Sequence, residues 1–155
     1  MFKTTLLALL VMLFTSCAQV QAQKLRADEK VFEEEDTYIL YALHAKESQD
    51  FDSAATFFDT LYVKSGKKEY FYQVLESYIL AKEYETLLTK VQTLPSSLSE
   101  DVKVVRFKIV ALYELERLKE AEELAISLAE KTQESDDYLL VADVLVKEKQ
   151  YDLAL

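Results

Sequence analysis

The residue types that most often carry out chemistry are scarce in this sequence. Cys17 is the only cysteine, His44 is the only histidine and Gly66 is the only glycine. A zinc site requires several His, Cys or carboxylate ligands, and a phosphate-binding loop requires several glycines. A single His on a helix is more often a packing or surface residue than a ligand. We therefore expect no catalytic, cofactor-binding or metal site, and we expect that the protein is not an enzyme.

Acidic side chains dominate the charge. The chain has 28 acidic and 18 basic side chains and a formal net charge of −10. Such a chain repels phosphate backbones, so we expect no nucleic-acid partner. The run Glu33-Glu34-Glu35-Asp36 could be imagined as paired carboxylates or a calcium site. We interpret it as acids before a helix N-terminus, where the helix dipole favours negative charge.

Residues 1–22 have the pattern of an export signal. Lys3 provides a basic start, and an unbroken apolar run of nine residues extends from Leu6 to Phe14. A helix needs about 20 apolar residues to cross a bilayer, so this run is too short to be a transmembrane span. Small residues follow it, as they do before a processing site. We expect an exported protein with a polar tether over residues 23–34.

Two processing sites compete within this signal. Phe14-Thr15-Ser16-Cys17 resembles a bacterial lipobox, in which the cysteine becomes the lipid attachment site and the new N-terminus. Phe14 departs from that pattern, since Leu is usual there. Val20-Gln21-Ala22 fits ordinary signal peptidase, with cleavage before Gln23. Lipidation of Cys17 would make an N-terminal lipid the only membrane contact, whereas cleavage after Ala22 would release a free mature chain.

The remaining sequence favours an all-α fold. One glycine and one proline, Pro95, are too few for the turns of a β-sandwich or of a Rossmann-type domain. Half of the residues are hydrophobic, which is enough for a sizeable core. Leu, Ala, Glu, Lys and Gln, which are good helix formers, make up much of the chain.

Two sets of apolar anchors repeat at a nearly constant interval, and both sets keep the same register over four copies. One set predicts a first helix in each unit, at Tyr38, Phe71, Val105 and Tyr138. The other predicts the start of a second helix, at Phe51, Tyr84, Leu118 and Tyr151. A period of about 34 residues is typical of tandem helix-turn-helix units that bury their apolar faces only by stacking.

At these positions the chain resembles the tetratricopeptide repeat (TPR) family, over about residues 35–155. The small residues of that family match Ala42, Ala54, Ala121, Ala142 and Ala154. Leu75, Leu87 and Ile109 are larger than the family pattern, and the second unit is the poorest match. The resemblance implies a right-handed α-solenoid, and together with the signal it implies a bacterial TPR lipoprotein.

The predicted units are 35–67, 68–101, 102–134 and an incomplete 135–155. Gly66 is expected to end a helix, and Ser97-Leu98-Ser99-Glu100 resembles a capping box at the start of the third unit. The predicted helix that begins at Tyr151 has only five residues before the sequence stops. We therefore expect that the natural protein continues with more repeats.

The resemblance also implies a groove lined by the first helices. Residues at the family's groove positions combine apolar anchors with charges, and Lys103 and Arg106 form a local basic spot. The candidate binding residues are Ile39, Leu43, Lys46, Tyr72, Glu76, Lys103, Arg106, Val110, Tyr113, Leu139 and Asp143. Alternatively, Leu43, Val110 and Tyr113 belong to the core or contact a neighbouring repeat. Exposed apolar residues in such a groove suit an extended peptide or a partner helix.

These observations predict a non-enzymatic protein-binding scaffold of the bacterial envelope, without a cofactor or metal. The expected location is the periplasm, with a lipid anchor at Cys17 in a membrane, the outer membrane in first place, or as a free chain after cleavage behind Ala22. The alternative is an accessory repeat domain of a larger envelope protein, whose catalytic or polysaccharide-related part lies beyond Leu155.

Overall fold

The structure is a computed structural model that describes the backbone of residues 34–154 and the side chains of residues 34–149. The predicted signal over residues 1–22, the lipid attachment site Cys17 and nearly all of the predicted tether lie outside the described residues. The chain divides into two compact units, Met1–Leu40 and Tyr41–Leu155. The helical residues 34–47 are called α1; residues 34–40 belong to the first unit and residues 41–47 to the second.

The part of the chain that the structure describes is all helical and contains no strand, which confirms the predicted class. After α1 the helices are α2 Phe51–Ser65, α3 Lys68–Ala81, α4 Tyr84–Gln92, α5 Ser96–Ser99, α6 Val102–Glu114, α7 Leu118–Thr132 and α8 Ser135–Ala154. The helices that begin at Phe51, Tyr84 and Leu118 start at the predicted anchors. We call α1, α3, α6 and α8 the first helices, and α2, α4 and α7 the second helices.

Each helix from α2 onward packs against its neighbours along the chain. The first helices α3 and α6 also contact each other directly, and α4 packs against α6. The core between them consists of fully buried aliphatic and aromatic side chains, among them Phe71, Leu75, Leu87, Ile109 and Leu112. Ala54, Ala121 and Ala125 are also buried, and their small side chains let neighbouring helices approach closely. The arrangement is compatible with a helical repeat.

A turn of one geometry links each first helix to the second helix after it. The turn residue adopts a left-handed conformation with φ near +60°, at Gln49, Lys82 and Glu116. The next backbone N–H closes the turn on a carbonyl five residues back, in the bonds Asp50 to Ala45, Glu83 to Tyr78 and Arg117 to Leu112. The turn residues recur at the same interval as the apolar anchors. The repeat is therefore present in the backbone geometry as well as in the pattern of apolar anchors.

The links after the first and third units share one geometry, because α2 and α7 both end at a left-handed residue, Gly66 and Gln133, whereas the link after the second unit differs. Gly66 ends α2 in a left-handed conformation with φ of 69°, and its N–H donates to the Tyr62 carbonyl at 2.8 Å, as expected of a helix stop. The predicted capping box at residues 97–100 is wrong. Ser97 lies inside α5, and Asp101 caps α6 by accepting a 3.1 Å hydrogen bond from the N–H of Lys103. A capping aspartate followed directly by an apolar run is the stronger start signal here.

The fourth unit also differs from its prediction. No new helix begins at Tyr151, because α8 continues unbroken from Ser135 to Ala154. Lys149 stands one repeat interval after Glu116, where the period would place a turn, yet it is helical. A left-handed non-glycine residue costs about 1 kcal/mol, and a following helix must pack well to offset that cost. Residues 147–150 are Lys-Glu-Lys-Gln, all good helix formers, and they favour continuation.

Candidate functional site

Five of the eleven predicted groove residues meet in one pocket between α3 and α6. The pocket has a volume of about 340 Å³. Its predicted lining residues are Tyr72, Glu76, Lys103, Arg106 and Val110. The structure adds Gln73 and Phe107, which the sequence reasoning missed. Gln73 directly follows Tyr72, and Phe107 directly follows Arg106. The groove positions of the family therefore include fewer residues than line this pocket.

One wall of the pocket is a cation–π pair. Tyr72 on α3 lies under the ammonium of Lys103 on α6, whose Nζ is 5.0 Å from the ring centroid. Burial and a hydrogen bond with Asp101 raise the pKa of Tyr72 to about 12. Burial acts to raise the pKa of Asp101 as well, but hydrogen bonds from Tyr72 and Lys68 hold it below its ordinary value. The tyrosine is therefore a neutral, fixed stacking surface at physiological pH.

Arg106 is not the free cation that the sequence suggested. Its guanidinium donates two hydrogen bonds to the carboxylate of Asp137 on α8, at 2.7 and 2.9 Å, and it also pairs with Glu134. Asp137 is fully buried, and its carboxylate accepts a third hydrogen bond from the Thr132 hydroxyl at 2.6 Å. The hydrogen bonds from Arg106 hold the pKa of Asp137 below its ordinary value. Arg106 thus joins the third unit to the fourth, and Lys103 alone is left as the exposed cation of the predicted basic spot.

Lys46 makes the corresponding link between α1 and α3. Its Nζ lies 2.9 Å from the Glu76 carboxylate and donates to the Gln73 side-chain oxygen at 3.0 Å. Glu76 and Gln73 both line the pocket, so this link forms one edge of it. The charges of Lys46 and Glu76 compensate each other. Together with the Arg106 pairs, this link shows that much of the groove's predicted charge holds successive first helices together.

The other predicted residues of the second compact unit do not line this pocket. Leu43 is half exposed on α1, and Ile39, in the first unit, is partly buried. Tyr113 is partly buried under Lys147, whose Nζ lies 3.8 Å from the ring centroid and donates to the Tyr113 carbonyl at 2.8 Å. On α8, Leu139 is 62% exposed and Asp143 is exposed. The ten candidates of the second compact unit therefore do not form one continuous site in the described residues.

The pocket between α3 and α6 combines apolar and charged side chains. Its apolar surfaces are Tyr72, Phe107 and Val110, and its acid, Glu76, is tied to Lys46. His44 is exposed on α1 and does not line it. Within residues 34–149, no group of His, Cys, Asp and Glu side chains is placed to hold a metal ion. The arrangement offers a stacking surface beside one accessible positive charge.

Among the described residues, no helix has the length and apolar character needed to cross a membrane. Comparisons with models of protein families, with curated proteins and with solved structures find no match to this chain.

Proposed function

We propose that this chain is a non-enzymatic, protein-binding scaffold whose binding site is the pocket between α3 and α6. The observation that carries the proposal is the meeting of two consecutive units at this pocket. Side chains predicted independently on each unit, Tyr72 and Glu76 on α3 and Lys103 and Val110 on α6, line the same space. A pocket built at a repeat interface is typical of proteins that bind partners along stacked helices.

The chemistry of the pocket suits an extended peptide or one face of a partner helix. A volume of about 340 Å³ is enough for one or two side chains. The fixed ring of Tyr72 and the side chains of Phe107 and Val110 provide apolar contact, and Lys103 provides a charge at the rim. An apolar side chain next to an acidic one is the pattern that complements this surface.

The solenoid that we propose is TPR-like and right-handed. Support comes from the recurring turns at Gln49, Lys82 and Glu116 and from the alternation of first and second helices. Direct contact between α3 and α6 fits this architecture, in which first helices line one face.

We place the protein in the bacterial envelope, anchored by lipid at Cys17. The support is the sequence of residues 1–22. Metabolic labelling of cells with a palmitate analogue tests it, because a lipoprotein incorporates the label and a Cys17→Ala variant loses it. A parent protein that carries no label and begins at Gln23 would contradict the anchor.

Site-specific crosslinking tests the binding function. A photoreactive amino acid at position 110 in the full chain is expected to capture a defined partner, whereas one at Ile126, exposed on α7, is not. Lys103→Glu should weaken that capture by roughly fivefold or more, which corresponds to about 1 kcal/mol. Lys119→Glu makes the same charge change on α7 and should leave capture unchanged. Equal capture from both positions, or no effect of Lys103→Glu, would argue against this site.

A further inference from the structure

The second unit has a shortened second helix. The second helices α2 and α7 each have 15 residues, whereas α4 has nine and ends at Gln92. The missing length is nearly two helical turns. Pro95 follows, and the chain turns into the four-residue helix α5 before α6 begins. The chain between the starts of α4 and α6 is nevertheless one residue longer than the chain between the starts of α2 and α3.

A pocket of about 480 Å³ lies beside the end of the shortened helix. Four elements contribute to it: α4, the α5 segment, α6 and α7. Its apolar lining consists of Val91, Leu94, Val105, Leu124 and Leu128. None of the predicted groove residues lines it, so it is separate from the pocket between α3 and α6. Its volume is in the range of pockets that hold small organic ligands, and its lining combines these five apolar side chains with six polar or charged ones.

Two lysines, Lys108 on α6 and Lys131 on α7, line this pocket. Neither makes a hydrogen bond or an ion pair with any residue that the structure describes, whereas Lys46, Lys68 and Lys90 each pair with a carboxylate. Lys131 lies in the last turn of α7, where the helix dipole favours a cation. That reason does not apply to Lys108, which is partly buried in the middle of α6.

Glu120 and Glu123 line a neighbouring pocket together with Lys108, but no acid among the described residues forms an ion pair with Lys108 or Lys131. Glu100 is part of the lining but is exposed and bonds to neither lysine. The charge of Lys108 contributes to lowering the pKa of Glu120, but the hydrogen bonds from Arg117 are the larger cause, and that carboxylate is already held by the arginine at 2.7 and 2.8 Å. Lys108 is partly buried and Lys131 is exposed, and an anion that enters the pocket is attracted by both ammonium groups.

We propose that this pocket binds an aliphatic carboxylate. The aliphatic chain occupies the space between the end of α4 and α7, against Leu94, Leu124 and Leu128. The carboxylate lies at the rim and is attracted by Lys108 and Lys131, while Gln92, Ser99 and Ser127 offer further donors. Binding of an acid-bearing chain places apolar atoms on the apolar lining and an anion beside two cations, whereas an uncharged chain lacks the anion and a cation is repelled.

Titration of the purified full-length protein with sodium decanoate, below its micelle concentration, tests this proposal. Calorimetry should show saturable binding, with decan-1-ol at least roughly tenfold weaker, and affinity should fall as salt is added because salt screens the ammonium groups. Methyl NMR shifts should be largest at Leu124 and Leu128. Lys108→Met and Lys131→Met should each weaken binding by roughly fivefold or more, which is the loss of about 1 kcal/mol per charge contact.

Two further variants make the result decisive. Lys108→Arg keeps the positive charge and should retain binding, and Lys119→Met removes an exposed lysine of α7 that does not line the pocket and should leave it unchanged. The absence of saturable decanoate binding would overturn the proposal. Equal binding of decanol, or shifts confined to the exposed Leu139 and Val146 of α8, would overturn it as well.

Discussion

Arg106 on α6 donates two hydrogen bonds to the fully buried carboxylate of Asp137 on α8. The pair spans 31 residues of sequence and joins two successive first helices. A buried carboxylate is tolerated only when its charge and its lone pairs are satisfied, and here Arg106 and Thr132 do both. The pair is therefore a structural joint between repeats.

Removal of the arginine tests the strength of this joint. Arg106→Met leaves the Asp137 carboxylate buried without its cation, so we expect a loss of about 2–3 kcal/mol in the free energy of unfolding. Urea denaturation followed by circular dichroism measures it. Arg117→Met is the matched control, since Arg117 pairs with Glu120 on the surface and solvent screens that pair. Equal effects of the two substitutions would contradict the role of Arg106.

The same joint predicts a dependence of stability on pH. Hydrogen bonds from Arg106 depress the pKa of folded Asp137 below its ordinary value of 3.8, so the ionised carboxylate stabilises the fold above that pH. The stabilisation is lost as the pH falls through the folded-state pKa. Asp137→Asn should make the urea midpoint less dependent on pH in the acid range than it is in the parent protein. Asp143→Asn, which removes an exposed carboxylate of α8, should retain the parent slope.

The turns between first and second helices predict a stabilising substitution. Lys82 adopts a left-handed conformation with φ of 61°, which glycine adopts without strain. Lys82→Gly should raise the free energy of unfolding by about 0.5–1 kcal/mol. Glu123→Gly, in the interior of α7, should instead lower it by about 1 kcal/mol because glycine is a poor helix former. Thermal denaturation of both variants gives the direction of each change in stability. A loss of stability in Lys82→Gly would contradict the left-handed conformation of Lys82.

The orientation of α8 is tested by two valines that lie two positions apart. Val144 is 1% exposed and Val146 is 57% exposed. Val144→Ala should cost about 2 kcal/mol, from lost burial and the cavity left behind, whereas Val146→Ala should change stability by less than about 0.5 kcal/mol. Comparable losses in both variants would show that α8 presents another face to α7.

Much of the helix order follows from periodicity alone. Phe51, Tyr84 and Leu118 begin second helices two residues after the left-handed turns at Gln49, Lys82 and Glu116. The α5 segment was missed because Ser97 and Glu100 match a cap pattern, while the aspartate at position 101 is the better acceptor for the first turn of α6. The unbroken α8 was missed because the period alone says nothing about the cost of a left-handed turn at Lys149.

The groove could be predicted only in part. The sequence places Tyr72 and Lys103 on first helices, and the structure stacks them. The sequence does not show that Arg106 pairs with Asp137 or that Lys46 pairs with Glu76. The choice of partner depends on the distance and the rotation between neighbouring units. The pocket beside α4 was also missed, since a shortened helix within a nearly constant period leaves no signal in the spacing of apolar anchors.

Two contacts hold α8 at points far apart along its length. Asp137 is bonded to Arg106 near its beginning, and Lys147 caps the Tyr113 carbonyl nearly three turns later, about 15 Å away along the helix axis. A helix that is bonded to its neighbour at one point can pivot about that point, whereas two bonded points separated along the helix oppose such pivoting. An apolar stripe on α8 consequently has a defined orientation relative to α6. It consists of the exposed side chains Tyr138, Leu139, Leu145 and Val146.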